Sequence, residues 1–360
     1  MWQDLEVSLK KVEKEKLKEK PDQKNLGFGL HFTDHMFLMK WDQQQGWHDA
    51  EICPFQDFAI SPAAMVFHYG QAIFEGMKAY RSNGDEILLF RPNDNLERMN
   101  NSAVRMCMPR FPVDMVLKSL KALLYLERDW VPSEPGATLY IRPTMVAMEP
   151  MLGVKPAASY YFFIILSPVS AYYPEGFNPT KIYVSDTYVR AVKGGVGEAK
   201  TSGNYAASLL ACEEAKKAGY TQVLWLDACE HKYIEEVGTS NIFFLMNDEL
   251  VTPPLEGSIL SGITRDSVLR LAADWGVKVD ERRVTIDEVV AAIRDGSLQE
   301  MFATGTAAVI SPVGELFYKG EKHIINNGQT GEFSRKLYDV LQKIQFGVEK
   351  SEHKWSVRVC

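Results

Sequence analysis

Apolar positions recur along the chain in two rhythms, and the rhythm changes wherever turn-forming residues intervene. Residues 29–41, 86–90 and 138–141 are runs rich in aromatic and β-branched side chains, which predicts strands. Residues 93–106 and 113–130 carry apolar side chains at helical spacing, the second behind Pro112 with Asp114 in its first turn. YYFFIIL at 160–166 is apolar throughout and of strand length, so it predicts a buried strand. SPVSAYYPEGFNPT at 167–180 then gathers prolines and a glycine, the strongest linker signal in the chain. Beyond it, strands are expected at 222–226 and 242–246, and helices at 205–218, 264–275 and 286–294. The pattern predicts an α+β or α/β protein: a small domain over 1–171, a linker at 172–179 and a larger domain over 180–360. KKVEKEKLKEK at 10–20 mixes Glu with Lys at helical spacing and predicts a solvated helical arm.

Composition narrows the function classes. Of 360 residues 46% are hydrophobic and 24% charged, which excludes a disordered chain. The balance of 40 basic against 47 acidic residues, net −7, argues against nucleic acid or an anionic membrane as the main partner. No apolar run approaches the roughly 20 residues that span a bilayer, and neither a secretory h-region nor a transit composition is present. Cys53, Cys107, Cys212, Cys229 and Cys360 are scattered without C-x-x-C spacing, as expected of reduced thiols in a cytoplasmic protein. With H-E-x-x-H also absent, no metal site is expected.

Two phosphate motifs nearly form and fail. Gly27–Phe28–Gly29 opens like a dinucleotide fingerprint, but Phe32 stands at its third glycine. GGVGEAKTSG at 194–203 has the Lys–Thr pair of a nucleotide-binding loop, but Ala199 stands where that loop needs glycine. What remains is Lys200 among small residues, where backbone can approach something bulky. A desolvated lysine is the side chain that forms Schiff bases with carbonyls. A Schiff-base lysine suggests pyridoxal phosphate, whose phosphate seeks an arginine and amides at a helix N-terminus. SGITRD at 261–266 and MFATGTAA at 301–308 offer such turns. A carboxylate at the ring nitrogen is the other demand, and Glu235 or Glu236 before the Gly–Thr turn supplies one.

Together the segments HYGQAIFEGMKAYR (68–81), NLERMNNSA (95–103), YIRPT (140–144), AKTSGNY (199–205), EEVGTSNIFF (235–244), LSGITRD (260–266) and ATGTAAVISPV (303–313) resemble branched-chain amino-acid aminotransferases. These are fold-type IV pyridoxal 5'-phosphate enzymes. The resemblance implies a small N-terminal α/β domain and a larger pseudo-barrel domain with cofactor between them. It makes Lys200 the catalytic lysine that holds the cofactor. Arg98, Ile263, Thr264 and Thr304 would hold the phosphate, Tyr205 the phenolic oxygen and Glu236 the ring nitrogen, which leaves Glu235 expected in solvent as a control for Glu236. Thr306 and Ala307 would receive the substrate α-carboxylate. Phe28, Tyr69, Phe74, Tyr140, Arg142, Val154 and Tyr172 would form the side-chain pocket, with Arg142 reading the γ-carboxylate of glutamate. It also implies a homodimer, Tyr69 and the loop 151–156 reaching the neighbouring subunit's pocket. The substrates implied are L-leucine, L-isoleucine and L-valine, with 2-oxoglutarate and glutamate. Ala308 and Ser311 replace the C-x-x-C switch of some members, so that thiol regulation is not expected here. The alternatives are a D-amino-acid aminotransferase or aminodeoxychorismate lyase of the same fold type, and a nucleotide-binding protein using Lys200–Thr201. Assay of L-leucine against D-alanine, each with 2-oxoglutarate, separates the first pair.

Overall fold

In the computed structural model, which describes residues 6–170 and 177–360, the chain divides into two compact units. The first comprises Met1–Tyr172, Ala199–Ser202 and Lys343–Cys360, and the second Tyr173–Glu198 and Gly203–Gln342. Of the expected linker, residues 172–176 lie outside the described residues.

The first unit is built on one sheet. Its strands run Ser8–Leu9, Gly46–Pro54, His35–Asp42, Ser159–Val169, Thr138–Ala147, Met77–Arg81, Ile87–Phe90 and Ser356–Arg358, and Ala72–Phe74 also pairs with Thr138–Ala147. Strand side chains alternate between faces. Leu139, Ile141 and Met145 point with Tyr160, Phe162 and Ile164 into a core shared with helices Pro92–Arg105 and Val113–Leu126. Tyr140, Arg142 and Thr144 therefore stand on the opposite face, beside Phe163 and Ile165 of the neighbouring strand. That second face is apolar too, with Tyr161, Phe163 and Ile165 half-buried, which is why the 160–166 run shows no alternation.

The second unit closes a barrel. Ile234–Val237 pairs with Gln222–Leu226, and the order continues through Thr180–Val184, Val309–Tyr318, Leu298–Gly305 and Ser240–Met246 back to Ile234–Val237. Closure pairs both sides of these six strands, while Glu249–Thr252, Val279–Glu281 and Glu321–Ile324 extend the sheet outside the ring. Leu224, Ile242, Phe244 and Leu316 fill its core. Thr285 caps helix Ile286–Asp295 by accepting the Glu288 N–H, and Gly296 at φ 82° ends it. Glu300, buried on a barrel strand, caps helix Glu332–Gln345 in turn. Its carboxylate accepts the N–H groups of Phe333 and Ser334, both at 2.8 Å, and the Ser334 hydroxyl at 2.6 Å. A Cβ on Gly331 would lie 1.8 Å from Glu300 Cδ, so only glycine lets the carboxylate in.

Four expectations change. The arm is not α-helical: beyond one short turn at Lys14–Lys16 it is extended. Its backbone is used elsewhere, the Val12 N–H donating to His35 Nε2 at 2.8 Å and the Lys18 N–H to Asp34 Oδ1 at 2.8 Å. Exposed Glu–Lys pairs worth about 0.2–0.5 kcal/mol do not outweigh such anchors. The strand expected at 29–41 begins only at His35, behind turns with Gly27 and Gly29 at positive φ. Residues 343–360, expected with the large domain, group with the first unit: Ser356–Arg358 pairs with Ile87–Phe90, and Trp355 packs against Phe90 and Arg91. The helix expected over 113–130 also stops at Leu126, where Glu127 turns inward to His35. Among the described residues no helix is long and apolar enough to cross a membrane.

Glu300→Ala removes three hydrogen bonds to one buried carboxylate. We expect it to lower unfolding stability by about 2 kcal/mol or more, read as a lower urea midpoint with secondary structure retained.

Candidate functional site

Lys200 is held by two backbone hydrogen bonds and by the anchored side chain of the next residue. Its N–H donates to Ser102 Oγ at 2.9 Å, its carbonyl accepts the Phe74 N–H at 3.0 Å, and the next residue, Thr201, is bonded through its hydroxyl to the Ala72 carbonyl at 2.8 Å. Helix Ser202–Lys217 starts two residues on. The side chain is thereby directed over the Phe74 ring, Nζ 5.1 Å from its centroid.

Arg142 uses the same ring. Its guanidinium lies 4.8 Å from the Phe74 centroid and 5.2 Å from that of Tyr140, and donates to the Tyr140 hydroxyl at 3.2 Å. Arg142 Nε is buried and has no hydrogen-bond partner. Tyr140 meets Phe28 edge-on at 5.0 Å. A Cβ on Gly76 would lie 2.0 Å from the Tyr140 hydroxyl, so the glycine makes room for the phenol. Five expected residues (Phe28, Phe74, Tyr140, Arg142 and Lys200) thus form one chain of contacts. Lys78, registered opposite Tyr140, is buried beside them, and burial pushes its ammonium down to about 8.

Arg98 is buried and paired in a fork with Glu75, Nε to Oε1 at 2.7 Å and Nη2 to Oε2 at 2.9 Å. Glu75 also accepts the Gly76 N–H at 3.0 Å. Sequence reasoning passed over Glu75, which stands in the two-residue gap between strands Ala72–Phe74 and Met77–Arg81. Tyr69 and Val154 do not join the aromatic wall: the Tyr69 hydroxyl donates to the Leu152 carbonyl, and Val154 is 84% exposed. Tyr172 lies outside the described residues.

In the second unit Glu236 is 2% exposed and surrounded by donors. Asn241 Nδ2 and the Leu260 N–H each reach Oε1 at 3.1 Å, and Arg190 Nε lies 2.6 Å from Oε2. A small cavity beside it is lined by Arg190, Asn204, Tyr205, Ser208, Glu236 and Leu260. Glu235, expected in solvent, is instead half-buried; burial raises its carboxyl, which accepts the Ser258 hydroxyl. It is therefore no neutral control for Glu236.

Helix Ile263–Asp274 begins behind Gly262 with no side-chain cap. A Cβ on Gly262 would lie 2.0 Å from Asn241 Oδ1, so glycine allows the helix start to approach Asn241, itself a donor to Glu236. Thr264 is buried in the first turn. Thr304 is registered opposite Asn241, and its Oγ1 is buried without a partner. Thr306 and Ala307 occupy the turn between the paired residues Gly305 and Val309. Val309 has φ 63°, a strained conformation for a β-branched residue, and such strain collects at ligand-binding turns. An uncapped helix N-terminus and an orphaned hydroxyl make this end of the barrel suited to an anion.

The sequence pattern of the family described as amino-transferase class IV matches residues 72–316. Branched-chain-amino-acid aminotransferase 2 of Bacillus subtilis (strain 168) is 54% identical over 343 residues, covering 95% of this chain and 94% of its own. Branched-chain-amino-acid transaminase 1 of the same organism is 54% identical over 354 residues, covering 97% and 99%. Among solved structures, the branched-chain aminotransferase of Thermoproteus uzoniensis with norvaline superposes with a TM-score of 0.75 at 26% identity, covering 91% of this chain and 100% of its own. The branched-chain amino acid aminotransferase of Escherichia coli gives 0.76 at 26%, covering 91% and 99%. With the family pattern running through most of the chain and relatives this similar end to end, the protein belongs to the class IV aminotransferases.

Proposed function

We propose that the protein is a branched-chain amino-acid aminotransferase that uses pyridoxal 5'-phosphate to move the amino group of L-leucine, L-isoleucine or L-valine to 2-oxoglutarate. Residues of this chain fit that cofactor: the orphaned Thr304 hydroxyl, the uncapped start of helix Ile263–Asp274 and the donor-ringed Glu236 suit its phosphate and ring nitrogen. Bound, the cofactor supplies an electron sink for charge developing at the substrate α-carbon. Lys200 would be its covalent anchor, and Lys200 Nζ would hold the proton taken from that carbon. In the second unit the Ile263 and Thr264 amides and Thr304 would take the phosphate; in the first, Arg98, fixed by Glu75, is the arginine we propose for that role. Tyr205 orients the ring through its phenolic oxygen, and the Thr306 and Ala307 amides receive the α-carboxylate.

The observation that carries the substrate reading is Arg142. A branched side chain gains roughly 1.5–3 kcal/mol from burial against Phe28, Phe74 and Tyr140. Glutamate must occupy the same place, because both half-reactions use one cofactor, and its γ-carboxylate would cost several kcal/mol if buried unpaired. Arg142 answers that need: it lies among those same aromatics, with a buried N–H still to be satisfied. The active unit is a homodimer in this reading. Its support is the exposed apolar group of Phe67, Tyr69, Leu152 and Val154, tied together by the Tyr69–Leu152 bond.

Lys200→Ala is expected to purify without the visible absorbance of lysine-bound cofactor and without measurable transamination; turnover near that of the parent would refute the assignment. Arg142→Met should lose about 2 kcal/mol or more of transition-state binding for glutamate, over tenfold in kcat/KM. Its half-reaction with leucine, followed by stopped-flow absorbance, should change far less; equal losses would reduce Arg142 to a scaffold role. Sedimentation of the parent should give twice the chain mass, and Val154→Glu should lower leucine turnover while leaving the fold intact. A fully active monomer would contradict the dimer.

A further inference from the structure

The glycine-rich segment before Lys200 has a role apart from any phosphate loop. Arg190 is 8% exposed, and its Nη2 donates to the carbonyls of Gly197 at 2.9 Å and Ser258. A Cβ on Gly197 would lie 2.2 Å from that Ser258 oxygen, so glycine is what lets the two carbonyls converge on one guanidinium nitrogen. With Nη2 so anchored, Arg190 Nε is left facing Glu236 Oε2 at 2.6 Å. Asn241 Nδ2 and the Leu260 N–H donate to Oε1 of the same carboxylate, while Arg190 Nε meets Oε2 as an ion pair without an aligned hydrogen bond. Only Arg190 among the three carries a charge. Ser258 meanwhile donates its hydroxyl to Glu235, so the neighbouring carboxylate is tied to the same knot.

We infer that Arg190 is a positioning residue that fixes the charge and orientation of Glu236, and through it the grip on the cofactor's ring. The inference rests on Glu236 being the partner of the ring nitrogen. Breaking a buried ion pair from one side leaves the other charge uncompensated. Arg190 therefore acts on the cofactor only while Glu236 can be ionised. A purely structural role, tying residues 190–197 to the Ser258 loop, would be indifferent to that charge.

A double-mutant cycle separates the two roles, with the pyridoxal phosphate dissociation constant of the apo-protein as its readout. Arg190→Met should weaken binding by about tenfold or more when Glu236 is present. In the Glu236→Gln background the same change should cost about threefold or less, and Arg190→Lys should restore most of the loss. If Arg190→Met alone does not fold, folding of the double variant with the affinity of Glu236→Gln shows the same coupling. Equal losses in both backgrounds, no rescue by lysine, or a double variant that also fails to fold would overturn the inference. Unchanged affinity in Glu236→Gln would instead remove the ring nitrogen from Glu236, and the inference with it.

Discussion

Glu236 with Arg190 and Glu75 with Arg98 are carboxylates taken into apolar layers, each beside a fixed arginine; Glu127 is held instead by a hydrogen bond with His35 Nδ1. An unpaired ion in such places costs several kcal/mol, so each pair survives only where the backbone delivers both members. Helices and loops packed on the strands do this: Arg98 comes from helix Pro92–Arg105 and Arg190 from the loop after Thr180–Val184. Glu300 extends the same rule to a helix terminus, where backbone N–H groups take the place of the cation. Much of the architecture can be understood as the arrangement that keeps these charges matched.

Arg142 departs from that rule, and the departure is what suits this face of the first unit to a ligand in the reading proposed above. Its guanidinium is supported by two aromatic rings and a phenol. Cation–π support costs less desolvation than a carboxylate partner would provide in return, and it leaves donors for a ligand. The period-two alternation of Thr138–Ala147 puts Leu139 and Ile141 in the core and Tyr140 and Arg142 on the working side. Stability and recognition are thus divided between odd and even positions of one strand.

Much of the site was legible before the fold was known. Lys200, Phe74, Tyr140, Arg142 and Phe28 carry distinctive chemistry in distinctive segments, and they do meet. Glu75, Arg190 and Asn241 were not legible, because nothing local distinguishes a paired carboxylate or arginine from a solvated one. Glu235 shows the same limit from the other side: adjacent to Glu236 and identical to it in sequence terms, it was expected in solvent and is half-buried. The arm at 10–20 was misread as a helix because its i,i+4 charges are visible along the chain, whereas His35 and Asp34, which hold it extended, are not.

The sequence by itself determined the longer strands and helices in outline, since apolar period and turn residues are local properties. It also determined the family, through motifs kept in order along nearly the whole length. Only the tertiary structure decided that the last strand returns to Ile87–Phe90, that six strands close on themselves, and which polar side chains become partners across the sheets. Those outcomes depend on contacts between residues far apart in sequence. Whether a glutamate is solvated or buried beside an arginine is settled by what the folded chain places opposite it, and no stretch of neighbouring residues contains that information.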